Sequence, residues 1–436
     1  RAEGMQPWEI ALSESQERML LIVQPEDYDK MAAVAERWGL DCAIIGIVTE
    51  GDRYVINWYG EEIVSLPASL IVDDCPEAAW ESRSSDYESV WTRPEAARSR
   101  DSSDMRDTLL RLLRSPSLAD KSWIYDQYDS MVQTNTIVGP GAPVSLLRIR
   151  ENGNMIAIAL ESDPWKCSLD PFRGGAESFA AGVRAVAAAG AVAIGATDCL
   201  NFPSPEKPEQ FFELSEVVRG IAACGKELHC PVVSGNVSLY NESASGRILP
   251  TPVIGVVGLI EAPLSWIPSG SWKAGDRLYL VGKREGSLAG SHYQNVIDGK
   301  LSGRPLPFDP ETERAFAERA HVTAQKKLAR SARALAGGGL AVALAKEALA
   351  SGVGASLNVD PSANEDSVLF GEGGARACYA VSEANAAAFE ETWRGFPCTH
   401  IGTAGGESLR FGGVSLTLDE LRDANFSTPD SNGRRN

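Results

Sequence analysis

The segment PVVSGNVSLYNES, residues 231–243, begins as an apolar strand and then breaks into small polar residues. In α/β folds, ligands bind at the carboxyl ends of strands, where loops present side chains and backbone amides. Gly235 and Asn236 stand at such a place, and a glycine there lets the backbone come close to a ligand. The segment therefore predicts an α/β fold with a ligand site at the end of this strand.

The segment ATDCLNFPSPEKPE, residues 196–209, shares that design, because Asp198 follows the buried strand predicted over 191–196. Asp198 offers a carboxylate, Asn236 a carbonyl oxygen and Ser238 a hydroxyl for a phosphate. Mg²⁺ prefers oxygen ligands and usually completes its shell with substrate phosphates. Together these residues suit a site for a metal and a nucleotide.

Each motif also has a plainer interpretation. An aspartate after a strand is often a turn or helix N-cap residue, and Ser-Gly-Asn often forms a tight turn. In LSESQERM, residues 12–19, the polar side chains of Glu14, Ser15 and Gln16 are also typical of the solvated start of a strand. The segment AGGGL, residues 336–340, would suit either a phosphate cradle or the start of a helix. Spacing alone does not choose between these alternatives.

The charge of the chain argues against a nucleic-acid partner. The 436 residues include 41 Lys and Arg against 59 Asp and Glu, which gives a net charge of −18. Such a surface repels phosphate backbones. A phosphate-bearing small molecule would need local amides, a metal ion or a few placed cations.

The cysteine pattern predicts a cytoplasmic protein. The eight cysteines are scattered without a CxxC pair, which favours reduced thiols. No run of about 18 apolar residues and no signal peptide is visible, so we expect no membrane association.

Composition and periodicity predict three compact regions. Residues 1–78 form an α/β piece, 79–122 a linker with a helix at about 105–114, and 123–262 a sheet domain. Residues 263–425 form an outer α/β domain, and 426–436 a disordered tail. Within these regions, strands are predicted over 18–23, 42–50 and 53–59, and helices over 27–39, 174–190 and 208–224.

An internal repeat links the first region to the last. ESQERMLLIV (14–23) aligns with EGGARACYAV (372–381), and GLDCAIIG (39–46) aligns with GFPCTHIG (395–402). The predicted order of strand, helix and strand repeats as well. Residues 271–370 have no counterpart in the first copy, so we expect a duplicated protein that lacks most of its first half.

The long motifs resemble phosphoribosylformylglycinamidine synthase, the large synthetase subunit of purine biosynthesis. The similar stretches cover nearly the whole chain in the family's order: EIALSESQERMLLIV, IYDQYDSMVQTNTIVGPG, TDCLNFPSPEKPE and PVVSGNVSLYNES. The resemblance implies a duplicated PurM-like architecture of α/β (α+β) class. In it, a sheet domain from each half contributes to a central barrel, and each half adds an outer α/β domain.

The resemblance also implies a reaction. ATP phosphorylates the amide oxygen of formylglycinamide ribonucleotide, and ammonia displaces the phosphate to give the amidine. Mg²⁺ neutralises charge on the phosphates. The ammonia comes from glutamine through a glutaminase partner, either a separate subunit with a small accessory subunit or a fused domain.

Residue by residue, the family's functional positions fall as follows. The resemblance implies substrate contacts for Glu14, Ser15, Gln16 and Ser238, ATP contacts for Asp198 and Gly235, and a magnesium-ligand role for Asn236. No residue in this chain matches the family's catalytic histidine.

The departures from the family pattern keep two alternatives open. A family glycine is replaced by Pro203, and the segment RALAGGGL (333–340) lacks the acids of the family's HDxSDGGL. These changes favour a non-catalytic nucleotide-binding or scaffold paralogue. Another ATP-using member of the superfamily, such as aminoimidazole ribonucleotide synthetase, fits the long motifs less well.

Overall fold

The structure, a computed structural model, describes residues 4–12, 18–74, 76–92, 102–263, 266–358 and 365–427. The chain divides into two compact units, residues 1–79 (unit 1) and 80–436 (unit 2). In the part of the chain that the structure describes, no helix is long and apolar enough to cross a bilayer.

The described part of unit 1 contains one β-hairpin and three α-helices. In chain order they are α1 (Pro7–Leu12), a 3₁₀ turn (Pro25–Asp27), α2 (Tyr28–Arg37), β1 (Arg53–Trp58), β2 (Glu61–Pro67) and α3 (Ala68–Val72). The strands β1 and β2 pair antiparallel. The prediction of a strand over 53–59 is thus confirmed within a residue, and that of a helix over 27–39 within two.

The strands predicted over 18–23 and 42–50 do not form. Neither segment forms a helix or a strand, and neither joins a sheet in the described chain. A strand is defined by its hydrogen-bonded neighbour. The prediction was wrong because the apolar sequence indicates an extended backbone but does not supply its partner.

The first sheet of unit 2 positions the candidate site. Its six strands lie in the order β3-β4-β5-β10-β6-β7. Their bounds are β3 (Thr136–Val138), β4 (Ser145–Arg148), β5 (Met155–Glu161), β6 (Val192–Asn201), β7 (Val232–Ser238) and β10 (Thr251–Ile260), and β7 is followed by a short hairpin of β8 (Glu242–Ser243) and β9 (Gly246–Arg247). Only β6 and β7 pair in parallel; the other strands pair antiparallel. Among the described residues, β3 and β7 are the two edge strands of this sheet.

Small residues let two long helices pack closely in the core below this sheet. Before them lie α4 (Glu88–Trp91), α5 (Ser102–Arg114), α6 (Ser122–Tyr125) and α7 (Pro164–Leu169); the two long helices are α8 (Pro171–Ala188) and α9 (Pro208–Glu227). Asp170 caps α8 by accepting a hydrogen bond from the Arg173 backbone N–H. A Cβ at Gly220 would lie 2.1 Å from the Phe172 carbonyl oxygen, and one at Gly175 would lie 2.4 Å from that of Val217. The helices predicted over 174–190 and 208–224 are confirmed.

The second sheet of unit 2 has seven strands in the order β12-β14-β11-β15-β13-β16-β17. These are β11 (Arg277–Val281), β12 (Ser331–Ala334), β13 (Ala355–Leu357), β14 (Ala377–Val381), β15 (Cys398–Ala404), β16 (Ser408–Phe411) and β17 (Val414–Thr417). The accompanying helices are α10 (Pro310–Gln325), α11 (Gly339–Ser351), α12 (Glu365–Leu369), α13 (Ala386–Thr392) and α14 (Leu418–Asn425), with a π-turn at Gln294–Asp298 and a 3₁₀ turn at Glu383–Asn385.

The helix α5 belongs to the core of this second layer. Its apolar side chains Leu109, Leu112 and Leu113 are buried in one cluster with Leu416 and Leu421. The sequence predicted a helix here inside a linker, and the structure shows that the helix packs against the outer sheet.

Candidate functional site

The parallel strands β6 and β7 bring most of the predicted site residues side by side. In their register Asp198 lies opposite Gly235, Cys199 opposite Asn236, and Asn201 opposite Ser238. Asp198 lies inside β6, and residues 234–236 lie inside β7. The turn and N-cap interpretations of these two motifs are therefore wrong.

The side chain of Asp198 lies over the backbone of Gly235. A Cβ at position 235 would come within 2.1 Å of Asp198 Oδ1. Partial burial raises the pKa of the Asp198 carboxyl above its usual value. Among the described residues no cation forms an ion pair with this carboxylate, and the residue is partly exposed.

The predicted metal and substrate residues lie on the opposite face of the same two strands. Side chains alternate between faces along a strand, so Asn236 and Ser238 point away from the face that carries Asp198. The Asn236 Nδ2 donates to Ser238 Oγ at 3.2 Å. On this open face the Ser234 hydroxyl also donates to Thr197 Oγ1 at 2.8 Å. These four polar side chains, Ser234, Asn236, Ser238 and Thr197, lie on one face of β6 and β7.

Two loops hold the ends of β6 and β7 in place. Asn241 Nδ2 donates to the carbonyl oxygens of Phe202 at 3.0 Å and Ser238 at 2.8 Å. Glu242 accepts from the Ser204 backbone N–H at 3.1 Å and from Lys207 Nζ at 2.9 Å. Sequence reasoning did not assign Asn241 or Glu242, although both lie in the stretch that begins at 231.

The buried Pro203 lies in the loop that follows β6. Its carbonyl oxygen accepts a hydrogen bond from the Tyr240 backbone N–H at 3.3 Å. Tyr240 has a left-handed backbone with φ 60°, and its hydroxyl donates to Glu206 Oε1 at 3.0 Å. The proline thus occupies a structural position in the loop.

The substrate-binding triplet predicted from the sequence, Glu14, Ser15 and Gln16, lies outside the described residues.

A second polar centre, which sequence reasoning missed, lies on a cavity of about 300 Å³ in unit 2. Lys166 Nζ lies 2.8 Å from Asp163 Oδ1 and 3.4 Å from Glu372 Oε2. Glu372 Oε1 accepts from the backbone N–H groups of His292 at 2.8 Å and Gly338 at 2.7 Å. All these groups are buried or nearly so.

The electrostatics of this cluster are set by burial and by its neighbours. Burial alone would raise the pKa of Glu372, but His292 and Lys166 outweigh it and lower that pKa to about 2. Burial and the nearby Asp163 raise the pKa of Glu161, at the cavity wall, to about 7. The backbone N–H of Gly338, in the AGGGL segment, donates its hydrogen bond to the Glu372 carboxylate. An anionic ligand bound at this segment would need the same N–H.

The described residues contain no cluster of three or more side chains suited to hold a metal ion. The side chain of Asn236 can offer a metal ion one ligand, its amide oxygen. Its Nδ2 donates a hydrogen bond to Ser238 Oγ. A magnesium site on this face would therefore need further oxygen ligands from a nucleotide or from another part of the protein.

Two family models match the chain. The AIR synthase related N-terminal domain matches residues 142–260, and the corresponding C-terminal domain matches residues 1–59 and 273–412. The C-terminal model is thus matched twice, once in part, which agrees with the internal repeat.

Curated relatives match nearly the whole chain. The phosphoribosylformylglycinamidine synthase subunit PurL of Moorella thermoacetica is 38% identical over 428 residues, which is 97% of this chain and 58% of that protein. The PurL of Thermobifida fusca is 38% identical over 447 residues, 98% of this chain and 58% of that protein. The chain therefore spans about three fifths of the length of the curated relatives it matches.

Solved structures share the fold. The Thermotoga maritima PurLQS structure matches with a TM-score of 0.60 at 20% identity, over 93% of this chain and 58% of the other. The T. maritima PurL complexed with ATP matches with a TM-score of 0.58 at 19% identity, with the same coverage. A third structure, T. maritima PurL complexed with FGAR, gives 0.58 at 16% identity, over 72% and 52%.

Proposed function

Because the chain belongs to the AIR synthase related family and groups there with the PurL subunits, we propose that it forms part of an ATP-dependent phosphoribosylformylglycinamidine synthase. The reaction converts formylglycinamide ribonucleotide and ammonia to the amidine in purine biosynthesis. ATP phosphorylates the amide oxygen, and ammonia then displaces the phosphate. The observation that carries the proposal is 38% identity to a PurL over 97% of this chain.

The residues of β6 and β7 supply contacts in this reaction. Asp198 and Gly235 would contact ATP as one feature, with the Asp198 carboxylate lying over the Gly235 Cα. Ser238 would contact the ribonucleotide together with Glu14, Ser15 and Gln16. The catalytic histidine would come from outside this chain.

Mg²⁺ would be held by the Asn236 Oδ1 together with carboxylates from outside this chain, on the face of the strands opposite Asp198, so these two residues would not contact the same phosphate group. When bound, the ion neutralises charge on the phosphates. The role of Asn236 is to present one oxygen, which its bond to Ser238 holds in place.

We propose a cytoplasmic location and a glutaminase partner that supplies ammonia. One of the solved structures that share this fold is that of PurLQS from T. maritima. Its name is consistent with an assembly of several subunits.

A fusion protein tests the function. The region of the M. thermoacetica PurL that this chain matches is replaced by the chain, and amidine formation is measured with ATP, Mg²⁺, ammonium chloride and formylglycinamide ribonucleotide. We expect product at a rate within about tenfold of the intact relative. A folded fusion that forms no product would refute the proposal.

A second candidate is a non-catalytic nucleotide-binding paralogue. It is favoured by the Glu372 carboxylate, which accepts from Gly338 N–H at 2.7 Å and so fills a place where a phosphate could bind. ATP binding by the fusion without turnover would support this candidate.

A further inference from the structure

The turn that follows β7 folds back onto the residue that follows β6. Ser238 is the last residue of β7, and Tyr240, two positions later, has a left-handed backbone with φ 60°. A tyrosine adopts this conformation only where its surroundings hold it. The next backbone N–H, that of Asn241, donates to the Phe202 carbonyl oxygen at 3.2 Å. The turn therefore brings Asn241 beside the end of β6.

The side chain of Asn241 joins the two strand ends. Its Nδ2 donates to the carbonyl oxygens of Phe202 at 3.0 Å and Ser238 at 2.8 Å. An asparagine side-chain nitrogen carries two N–H donors, so each donor serves one strand. The Phe202 side chain is 1% exposed and belongs to the core below the sheet. Asn241 thus ties the end of β7 to a residue that the core holds fixed.

The end of β7 depends on this tie because β7 is an edge strand. Among the described residues β7 pairs only with β6, and Ser238 lies opposite the last residue of β6, Asn201. Apart from Asn241, the Ser238 carbonyl oxygen accepts a hydrogen bond only from the Phe202 backbone N–H within the part of the chain that the structure describes, at 2.9 Å. Strand ends with few hydrogen bonds open most easily. Loss of the Asn241 side chain would therefore leave the Ser238 backbone with half of its restraint.

The position of the Ser238 hydroxyl follows from the position of its backbone. A serine Oγ is separated from the backbone by a single rotatable bond, so a shift of the peptide moves the hydroxyl with it. The hydroxyl also accepts from Asn236 Nδ2 at 3.2 Å. Both donors of the Asn241 Nδ2 are already used by backbone carbonyl groups. Asn241 would therefore act on a ligand through Ser238.

We propose that Asn241 is a positioning residue, which fixes the Ser238 hydroxyl for its contact with the ribonucleotide. This role rests on the proposed function, in which Ser238 contacts that substrate. The effect is specific for the ribonucleotide, because the proposed ATP contacts of Asp198 and Gly235 lie further back in the paired strands and on their other face.

Steady-state kinetics of the PurL fusion test this role. We expect Asn241→Ala to raise the KM for formylglycinamide ribonucleotide about tenfold or more and to leave the KM for Mg-ATP within about twofold of the parent. Asn241→Asp keeps the shape and removes both donors, so it should have the same effect, and it replaces the alanine variant where that one does not fold.

The outcomes separate this role from the proposed function. An active parent fusion whose Asn241 variant keeps its KM for the ribonucleotide overturns the positioning role alone. A folded parent fusion without activity refutes the proposed function, and the positioning role with it. A variant that is merely less well folded would lose kcat and keep both KM values, which also overturns the role.

A double-mutant cycle shows whether Asn241 acts through Ser238. In a Ser238→Ala background, Asn241→Ala should raise the KM for the ribonucleotide by less than about twofold, because the hydroxyl that it positions is gone. Tyr240→Phe is the matched control in the same turn, since it removes only the hydroxyl bonded to Glu206 and should leave the KM unchanged. Independent effects of the two substitutions, or an equal rise in KM for Tyr240→Phe, overturn the proposal.

Discussion

Asp198 and Gly235 lie directly opposite each other on the parallel strands β6 and β7, and the Asp198 carboxylate covers the Gly235 Cα. The 2.1 Å between a Cβ at 235 and Asp198 Oδ1 means that no side chain at 235 is compatible with this carboxylate position. The two residues therefore act as one structural feature.

Gly235→Ala tests this coupling. The added methyl group must displace the Asp198 carboxylate, and such overpacking costs about 1–3 kcal/mol. We expect a lower free energy of unfolding in urea. In an Asp198→Ala background the same substitution should cost less than about 0.5 kcal/mol, because the clash is gone. Additive effects of the two substitutions would show that the residues are independent.

The buried Lys166 is predicted to be structurally essential. Its side chain is 5% exposed and lies between the carboxylates of Asp163 and Glu372. Lys166→Met leaves two buried acids without their cation, which costs about 3–5 kcal/mol. The control is Lys207→Met, because Lys207 is 55% exposed and its pair with Glu242 is worth at most about 1 kcal/mol. Equal losses in urea denaturation would contradict the prediction.

The raised pKa of Glu161 predicts that the free energy of unfolding falls as pH rises. Burial and Asp163 raise its pKa in the folded chain from 4.5 to about 7, so the folded state holds this proton more tightly than the unfolded state. The resulting stability is complete below about pH 4.5 and is lost as pH rises through about 7.

The matching experiment compares urea unfolding at pH 5 and pH 8. Glu161→Gln should be more stable than the parent at pH 8, by up to about 3 kcal/mol, and similar to it at pH 5. The exposed Glu318→Gln serves as the control. The quantity to compare is the gain in free energy of unfolding of Glu161→Gln over its parent. An equal gain at pH 5 and pH 8 would refute the raised pKa of Glu161.

Asn236 tests the proposed magnesium and ATP contacts. In the PurL fusion, Asn236→Ala should lower kcat/KM for Mg-ATP by about tenfold or more, because one oxygen ligand is lost. Ser234→Ala, on the same face, removes only the hydroxyl bonded to Thr197 and should leave the rate nearly unchanged. Full activity of the Asn236 variant would remove this residue from the site.

Helices and strands with a clear local residue pattern could be predicted from the sequence. The period of apolar residues in α9 and the small residues of α8 were enough to identify both helices. The polar residues after two apolar stretches marked the segments that form β6 and β7, and the structure pairs these strands side by side; that they form the site stays a prediction.

Other features depend on distant parts of the chain and could not be predicted. The Lys166 cluster joins residues about 200 positions apart, and no local pattern marks a lysine between two buried acids. The extension of β6 to Asn201 depends on its pairing with β10 and β7. The segments at 18–23 and 42–50 failed for the opposite reason, because their sequence is strand-like but the described chain contains no partner for them.

The most direct test of the proposal that this chain is one part of a synthetase is the rate of ADP release that depends on formylglycinamide ribonucleotide. It is measured with ammonium chloride for the 436-residue chain alone and for the PurL fusion. We predict no ribonucleotide-dependent release by the chain alone and clear release by the fusion. Release by the chain alone, or no release by a folded fusion, would contradict it.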